Sequence, residues 1–380
     1  MRGISIFSNA EIVTAEHQFR GYLVIEGQTI IEFGEGKAPE KGMDMEGDYL
    51  LPGLVELHTD HLEVHAMPRP KVEWPALSAV LAHDAQVIGA GITTVFDALR
   101  VGNDYDEEKF GARMQILAHA IAEAKACGMT RAEHFLHLRC EIACGDVVEE
   151  MEPFLVDPNL KLVSVMDHTP GQRQFSDVSK WKNYYSGKKG ASDAQLDAII
   201  ARRMVISGQH ACENRRQIVK KCHAHDIALA SHDDAARAHV AEAVRDKMHI
   251  AEFPTTVEAA QASHEAGLKV LMGGPNVVRG GSHSGNVSAR TLAEAGILDV
   301  LSSDYVPASL LMGAFALADV AALGGLPGAI RLVSKNPAEA AGLMDRGEIT
   351  AGRRADILRV KVTGQQPIMR EVWRSGQRVA

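Results

Sequence analysis

Eight apolar runs recur between residues 52 and 344, separated by loops and by stretches of helical periodicity, and this alternation restricts the fold more than any other feature of the chain. The runs fall near 54–58, 93–97, 135–141, 161–167, 227–231, 249–253, 269–272 and 299–303. Regular strand–helix repetition of this kind predicts a (β/α)8 barrel, in which residues at the C-terminal ends of the strands share one face. Most of the runs end on a polar residue, which is where such a barrel carries its chemistry.

The two ends of the chain read differently. Residues 1 to about 50 alternate short apolar runs (SIFSNAEIV, YLVIEG, TIIEFGEG) with Gly and polar turns, the pattern of antiparallel strands. After the helix that opens at Lys335, turn-rich strands run to about Trp373 without helices of their own. The economical arrangement pairs both ends in one small β-sandwich. The chain is therefore expected to be α/β, a TIM-like barrel over 52–344 with a sandwich formed from 1–51 and 345–380. The interruption at about 170–215 carries a cluster of Lys, Gly, Trp and Tyr, and reads as a lid or helical insertion over the barrel's active face.

The strand-end residues are chemically coherent. His58 and Asp60 lie two apart at the end of the first strand, so both face the same way. Glu141 ends the third run, and His168, His232 and Asp304 follow the fourth, fifth and eighth. A single histidine at a strand end is more often a satisfied buried residue, but six candidate ligands in order on one face form a pattern. Three imidazoles and three carboxylates suit one or two divalent transition-metal ions, with zinc the first expectation and manganese, iron or nickel the alternatives. Such ions lower the pKa of bound water far enough to make a nucleophile near neutral pH. Asp304 is expected to touch a metal and to accept the proton of the attacking water. Asp233 and Asp234, as immediate neighbours of His232, are expected to point away from the metals.

At 380 residues and 46% hydrophobic, the chain can bury a large domain with a small companion. A net charge of -9 argues against nucleic-acid partners, so an anionic substrate must be met by local cations. The start lacks the basic head and apolar run of a signal peptide, and no apolar stretch reaches the ~18 to 20 residues of a membrane span. A cytoplasmic homo-oligomer with no membrane partner is expected. The five cysteines lack paired CxxC spacing and read as reduced thiols.

Cations are indeed placed in loops or strand ends on the predicted active side: Arg69, Lys71, Arg139, Arg173 and Arg279, with His283 beside the last of these. Arg173 in HTPGQRQF and Arg279 in GGPNVVRGGSHSGN stand among glycines, where the backbone can approach phosphate oxygens closely. GGSHSG lacks the GK[ST] ending of a phosphate-binding P-loop, so phosphate recognition must come from several loops together.

A barrel with a strand-one metal pair, a middle carboxylate with histidines, and an Asp on the last strand resembles the amidohydrolase superfamily, as does the ending RGEITAGRRADILRV. More narrowly, LPGLVELHTDH, PRPKV, GITTVFDA, RAEHFLHLRCE, MDHTPGQRQF, LASHDDA, AEFPTT, GGPNVVRGGSHSGN, LSSDYVPASLL and KNPA resemble the PhnM family of diphosphatases over residues 50 to 375. That resemblance implies hydrolysis of a small phosphorylated sugar, α-D-ribose 1-methylphosphonate 5-triphosphate, to the 5-phosphate and pyrophosphate in phosphonate breakdown. One departure is visible: the family pattern HTDN becomes HTDH here, which adds an imidazole at His61. The alternative reading is an amidohydrolase that uses the same metals on an amide or ester, as a deacetylase or cyclic-amide hydrolase does. The basic loops have no purpose in that chemistry.

Overall fold

In the computed structural model, which describes residues 3–103, 110–173, 178–179, 181–182, 192–282 and 285–380, the two chain ends build one sheet and the middle builds another. The N-terminal strands are β1 (Ile4–Val13), β2 (Gln18–Glu26), β3 (Thr29–Glu35), β4 (Met43–Asp44) and β5 (Tyr49–Pro52). The barrel strands are β6 (Leu54–Thr59), β7 (Ile92–Val101), β8 (Glu133–Glu141), β9 (Leu160–Met166), β10 (Ala228–His232), β11 (Ile250–Glu252), β12 (Lys269–Gly273) and β13 (Val300–Ser302). The C-terminal strands are β14 (Ile357–Thr363), β15 (Gln366–Arg374) and β16 (Gln377–Arg378).

All neighbouring pairs from β6 to β13 are parallel and follow chain order. The ring closes between its first and last strands, where the Asp304 N–H donates to the His58 carbonyl at 3.1 Å and the Asp60 N–H donates to the Asp304 carbonyl at 3.2 Å. Each of the eight strands sends an apolar side chain into the interior, among them Leu57, Phe96, Phe135, Leu162, Ile250 and Leu271. This filled interior makes the barrel a rigid frame, and the polar strand ends sit on top of it.

The terminal sheet runs β16-β15-β14-β5-β1-β2-β3, with the seam between the chain's two ends at the antiparallel β14–β5 pair. Two strands separate β15 from β1, which in a flat sheet places them roughly 14 Å apart at about 4.8 Å per step. Yet the Phe7 and Trp373 rings, one from each, meet edge to face with centroids 4.9 Å apart. The sheet therefore folds over on itself, enclosing Ile12, Leu23, Ile25, Leu50 and Ile357, and the small sandwich expected from both termini is present.

The expected insertion at 170–215 contributes the second half of its length to one helix, Asp193–Ala224, opened by a capping box at Ser192 and Gln195. Much of the remainder lies outside the described residues, so a lid there is not described. No helix among the described residues is long and apolar enough to cross a membrane, and these residues contain no disulfide.

Candidate metal centre and active-site face

The barrel brings four of the six expected ligands to strand ends that face each other and ties them together through carboxylates. His58 Nδ1 lies 3.1 Å from Glu252 Oε1, and His232 Nδ1 lies 3.1 Å from Glu252 Oε2. The two imidazoles are nearly parallel, with centroids 5.6 Å apart, and the Phe253 ring stands edge-on to both. Ser164 also donates to Glu252 Oε2 at 2.5 Å, so this fully buried carboxylate is held on three sides. His168 Nδ1 lies 2.6 Å from Glu141 Oε2, while the His168 N–H donates to Glu141 Oε1 at 3.1 Å. Both oxygens of Glu141 are thus engaged by His168.

Asp233 departs from the sequence expectation. Its backbone is left-handed, with φ at 56°, which breaks strand alternation so that consecutive residues His232 and Asp233 turn toward the same space. Asp233 Oδ2 stands 3.5 Å from both His168 Nε2 and His232 Nε2. Asp304 is left-handed too, with φ at 54°. Two donor groups result: His58, His232 and Glu252, and His168, His232 and Asp233, each with its ligand atoms within 4.8 Å of one another. His232 belongs to both.

The electrostatics fit a cation at this place. Burial works to raise the Glu141 carboxyl, but the His168 imidazole outweighs it and brings the carboxyl down to about 2. Burial works to lower His168, but Glu141 and then Asp233 outweigh it and push the imidazole up to about 9. The carboxylates at this position therefore demand positive charge. The buried Oδ2 of Asp233 has no hydrogen-bond donor within good geometry among the described residues, as expected of an atom that faces a metal. Burial, and then the Asp60 charge, push Asp304 up to about 7 against the opposing pull of Arg139 and His232.

The cations on this face are of three kinds. Arg139 Nη1 donates to Asp60 Oδ2 at 3.2 Å, so these two expected site residues hold each other. Arg173 is buried and committed: it pairs with Asp234, lies 3.3 Å from Glu242 Oε2 and reaches the His232 carbonyl at 3.4 Å. Arg69, Lys71 and Arg279 are exposed in loops after β6 and β12, on the ligand-bearing face. His283 lies outside the described residues. A cavity of 430 Å³ opens beside Arg173, with Gln172, His239, Thr256 and Asn286 also in its wall.

Comparison with known proteins places the chain by its whole length. It is 46% identical over 377 residues, 98% of this chain and 100% of the relative, to the alpha-D-ribose 1-methylphosphonate 5-triphosphate diphosphatase of Escherichia coli (strain K12). The chain belongs to this diphosphatase family. No protein-family model matches it. Among solved structures, an amidohydrolase superposes with a TM-score of 0.61 at 14% identity, covering 99% of each chain. N-acetyl-D-glucosamine-6-phosphate deacetylase from Mycobacterium smegmatis does so with a TM-score of 0.62 at 16% identity, covering 99% of this chain and 100% of its own. At that identity the likeness is one of fold: this chain shares the overall architecture of these two proteins.

Two residues of the candidate site lie outside the expected ligand set, Glu252 and Asp233. Glu252 closes β11, where the same strand-end logic that singles out Glu141 would have found it; the flanking Phe253 disguises it as part of an apolar run. Asp233 gives no sequence signal, because its left-handed backbone is a property of the turn.

Proposed function

We propose that the chain hydrolyses α-D-ribose 1-methylphosphonate 5-triphosphate to the 5-phosphate and pyrophosphate, acting in the cytoplasm on one step of phosphonate breakdown. The observation that carries this reading is the pair of imidazole–carboxylate groups sharing His232, in a chain 46% identical over 98% of its length to a diphosphatase. Divalent transition-metal ions, zinc foremost, would be held by His58, Asp60, His168, His232 and Asp304 with Asp233, and when bound they supply acidified water and offset phosphoryl charge. Glu141, expected as a ligand, serves in this arrangement by fixing the ring of His168, as Glu252 does for His58 and His232.

The protein's own groups account for the remainder of the reaction. The carboxylate of Asp304 takes the proton of the water that attacks the α-phosphorus. Pyrophosphate leaves readily, so no strong acid is required opposite it. Arg69, Lys71 and Arg279 meet the triphosphate from the rim. Arg173, spent on Asp234 and Glu242, shapes the cavity wall and holds the strand end that carries His232.

Replacing Arg279 by Ala raises KM for a ribosyl triphosphate by about 10- to 150-fold, equivalent to about 1.5 to 3 kcal/mol, as loss of a charge-assisted hydrogen bond does. KM for a monophosphate analogue changes much less, and equal changes for both ligands would remove Arg279 from phosphate recognition. Phosphorus NMR of the products from a panel of ribosyl triphosphates, N-acetyl sugars and cyclic amides tests the reaction itself. Pyrophosphate from the triphosphates is the expected product, and turnover confined to the amides would overturn the reading.

A further inference from the structure

A second set of imidazoles meets behind the loop that follows β6 and shares no residue with the two groups above. His61 and His65 lie four apart at the two ends of the short helix Leu62–Ala66, which puts their side chains on one face. His83 projects toward them from the helix Ala76–Gly89. The ring centroids are 4.9 Å apart for His61 and His65, 5.7 Å for His61 and His83, and 6.1 Å for His65 and His83. His61 and His83 are buried, His65 partly so, and the three ligand nitrogens lie within 4.8 Å of one another.

His61 Nδ1 and His83 Nδ1 are 3.4 Å apart. That is long for a hydrogen bond. Two nitrogens each bonded at about 2.0 to 2.1 Å to a tetrahedral ion stand roughly 3.3 to 3.4 Å apart, so the spacing is that of two ligands sharing a metal. The rest of the His83 ring agrees. Its Nε2 lies 2.8 Å from Asp97 Oδ1, so the proton of the neutral ring belongs on Nε2 and the lone pair of Nδ1 faces His61. Asp97 is itself fixed, because its other oxygen lies 2.8 Å from His134 Nδ1. A carboxylate behind a histidine in this way is the usual backing of a metal ligand. His65 Nε2, meanwhile, is buried without a hydrogen-bond partner among the described residues.

We propose that His61, His65 and His83 form a further binding site for a divalent transition-metal ion of the type imidazole favours, zinc above all, with Asp97 orienting His83. Three protein ligands leave a fourth position for water. An ion there ties the loop carrying Arg69 and Lys71 to the helix Ala76–Gly89 and fixes the chain next to Asp60.

The test is metal stoichiometry. Protein stripped with a chelator, reloaded with zinc and desalted is analysed for tightly bound ions per chain, with cobalt loading read by its visible absorption. His65→Gln, at a partly exposed position, is expected to hold one equivalent fewer than wild type while its circular dichroism is unchanged, and His83→Gln is expected to do the same. His58→Ala, which alters the proposed catalytic centre, keeps the equivalent that His65→Gln loses, so the two sites are read separately. Wild-type stoichiometry in a folded His65→Gln protein would overturn the proposal, whatever the outcome at His58 and even if His83→Gln failed to fold.

Discussion

Asp304→Asn is expected to lower kcat by roughly 10²-fold or more, the usual cost of losing a general base. The fold should survive, because Asp304 closes the barrel through its backbone, with its N–H on His58 and its carbonyl accepting from Asp60 and Thr59. Asn retains those bonds, tolerates the left-handed φ of 54° and differs chiefly in being unable to take a proton. Steady-state kinetics beside a thermal melt separate the two roles. Turnover within a few-fold of wild type would assign the base elsewhere, and a large drop in melting temperature would make the residue structural.

His232→Ala is expected to be more damaging, because His232 is common to both donor groups. Changing a residue that merely orients a ligand costs roughly 10 to 100-fold in metal affinity, so removing a ligand shared by both groups should cost more than about 10²-fold and abolish activity with it. The lost ring also leaves Glu252 Oε2 with Ser164 and removes an edge contact from Phe253. Metal analysis of the purified variant, with activity measured across a range of added zinc, checks this. A full complement of tightly held ions in the variant would mean that His232 is a packing residue.

Much of this was legible in the chain because a parallel barrel turns order in sequence into a ring in space. Each of the eight apolar runs coincides with an observed barrel strand, even where β11 and β13 are only three residues long. Since all eight strands point the same way, residues as distant as His58 and Asp304 were bound to meet at one end. What could not be read depends on local backbone or on packing between elements. Asp233 joins His232 only because its φ is positive, and strand alternation assigns it to the opposite side. Arg173 carries no mark of its partner Asp234, 61 residues away, so it read as a cation free for phosphate, whereas the structure places it in buried ion pairs. His61 and His65 show helical spacing in HLEVH, but their meeting with His83 is set by how two helices pack. Expectations from strand periodicity therefore hold for the frame, and they weaken at the turns, where the site's left-handed residues lie.

The measurement that bears most directly on the proposed reaction is the fate of solvent oxygen when the ribosyl triphosphate is hydrolysed in ¹⁸O water. Water directed at the α-phosphorus breaks its bond to the bridging oxygen, which leaves with pyrophosphate, and places the solvent oxygen on the sugar 5-phosphate. The heavy-isotope shift should therefore appear on the phosphorus signal of the sugar phosphate, with unlabelled pyrophosphate as the other product. Label confined to pyrophosphate, which means attack at the β-phosphorus, or release of labelled orthophosphate, which means attack at the γ-phosphorus, would contradict the account.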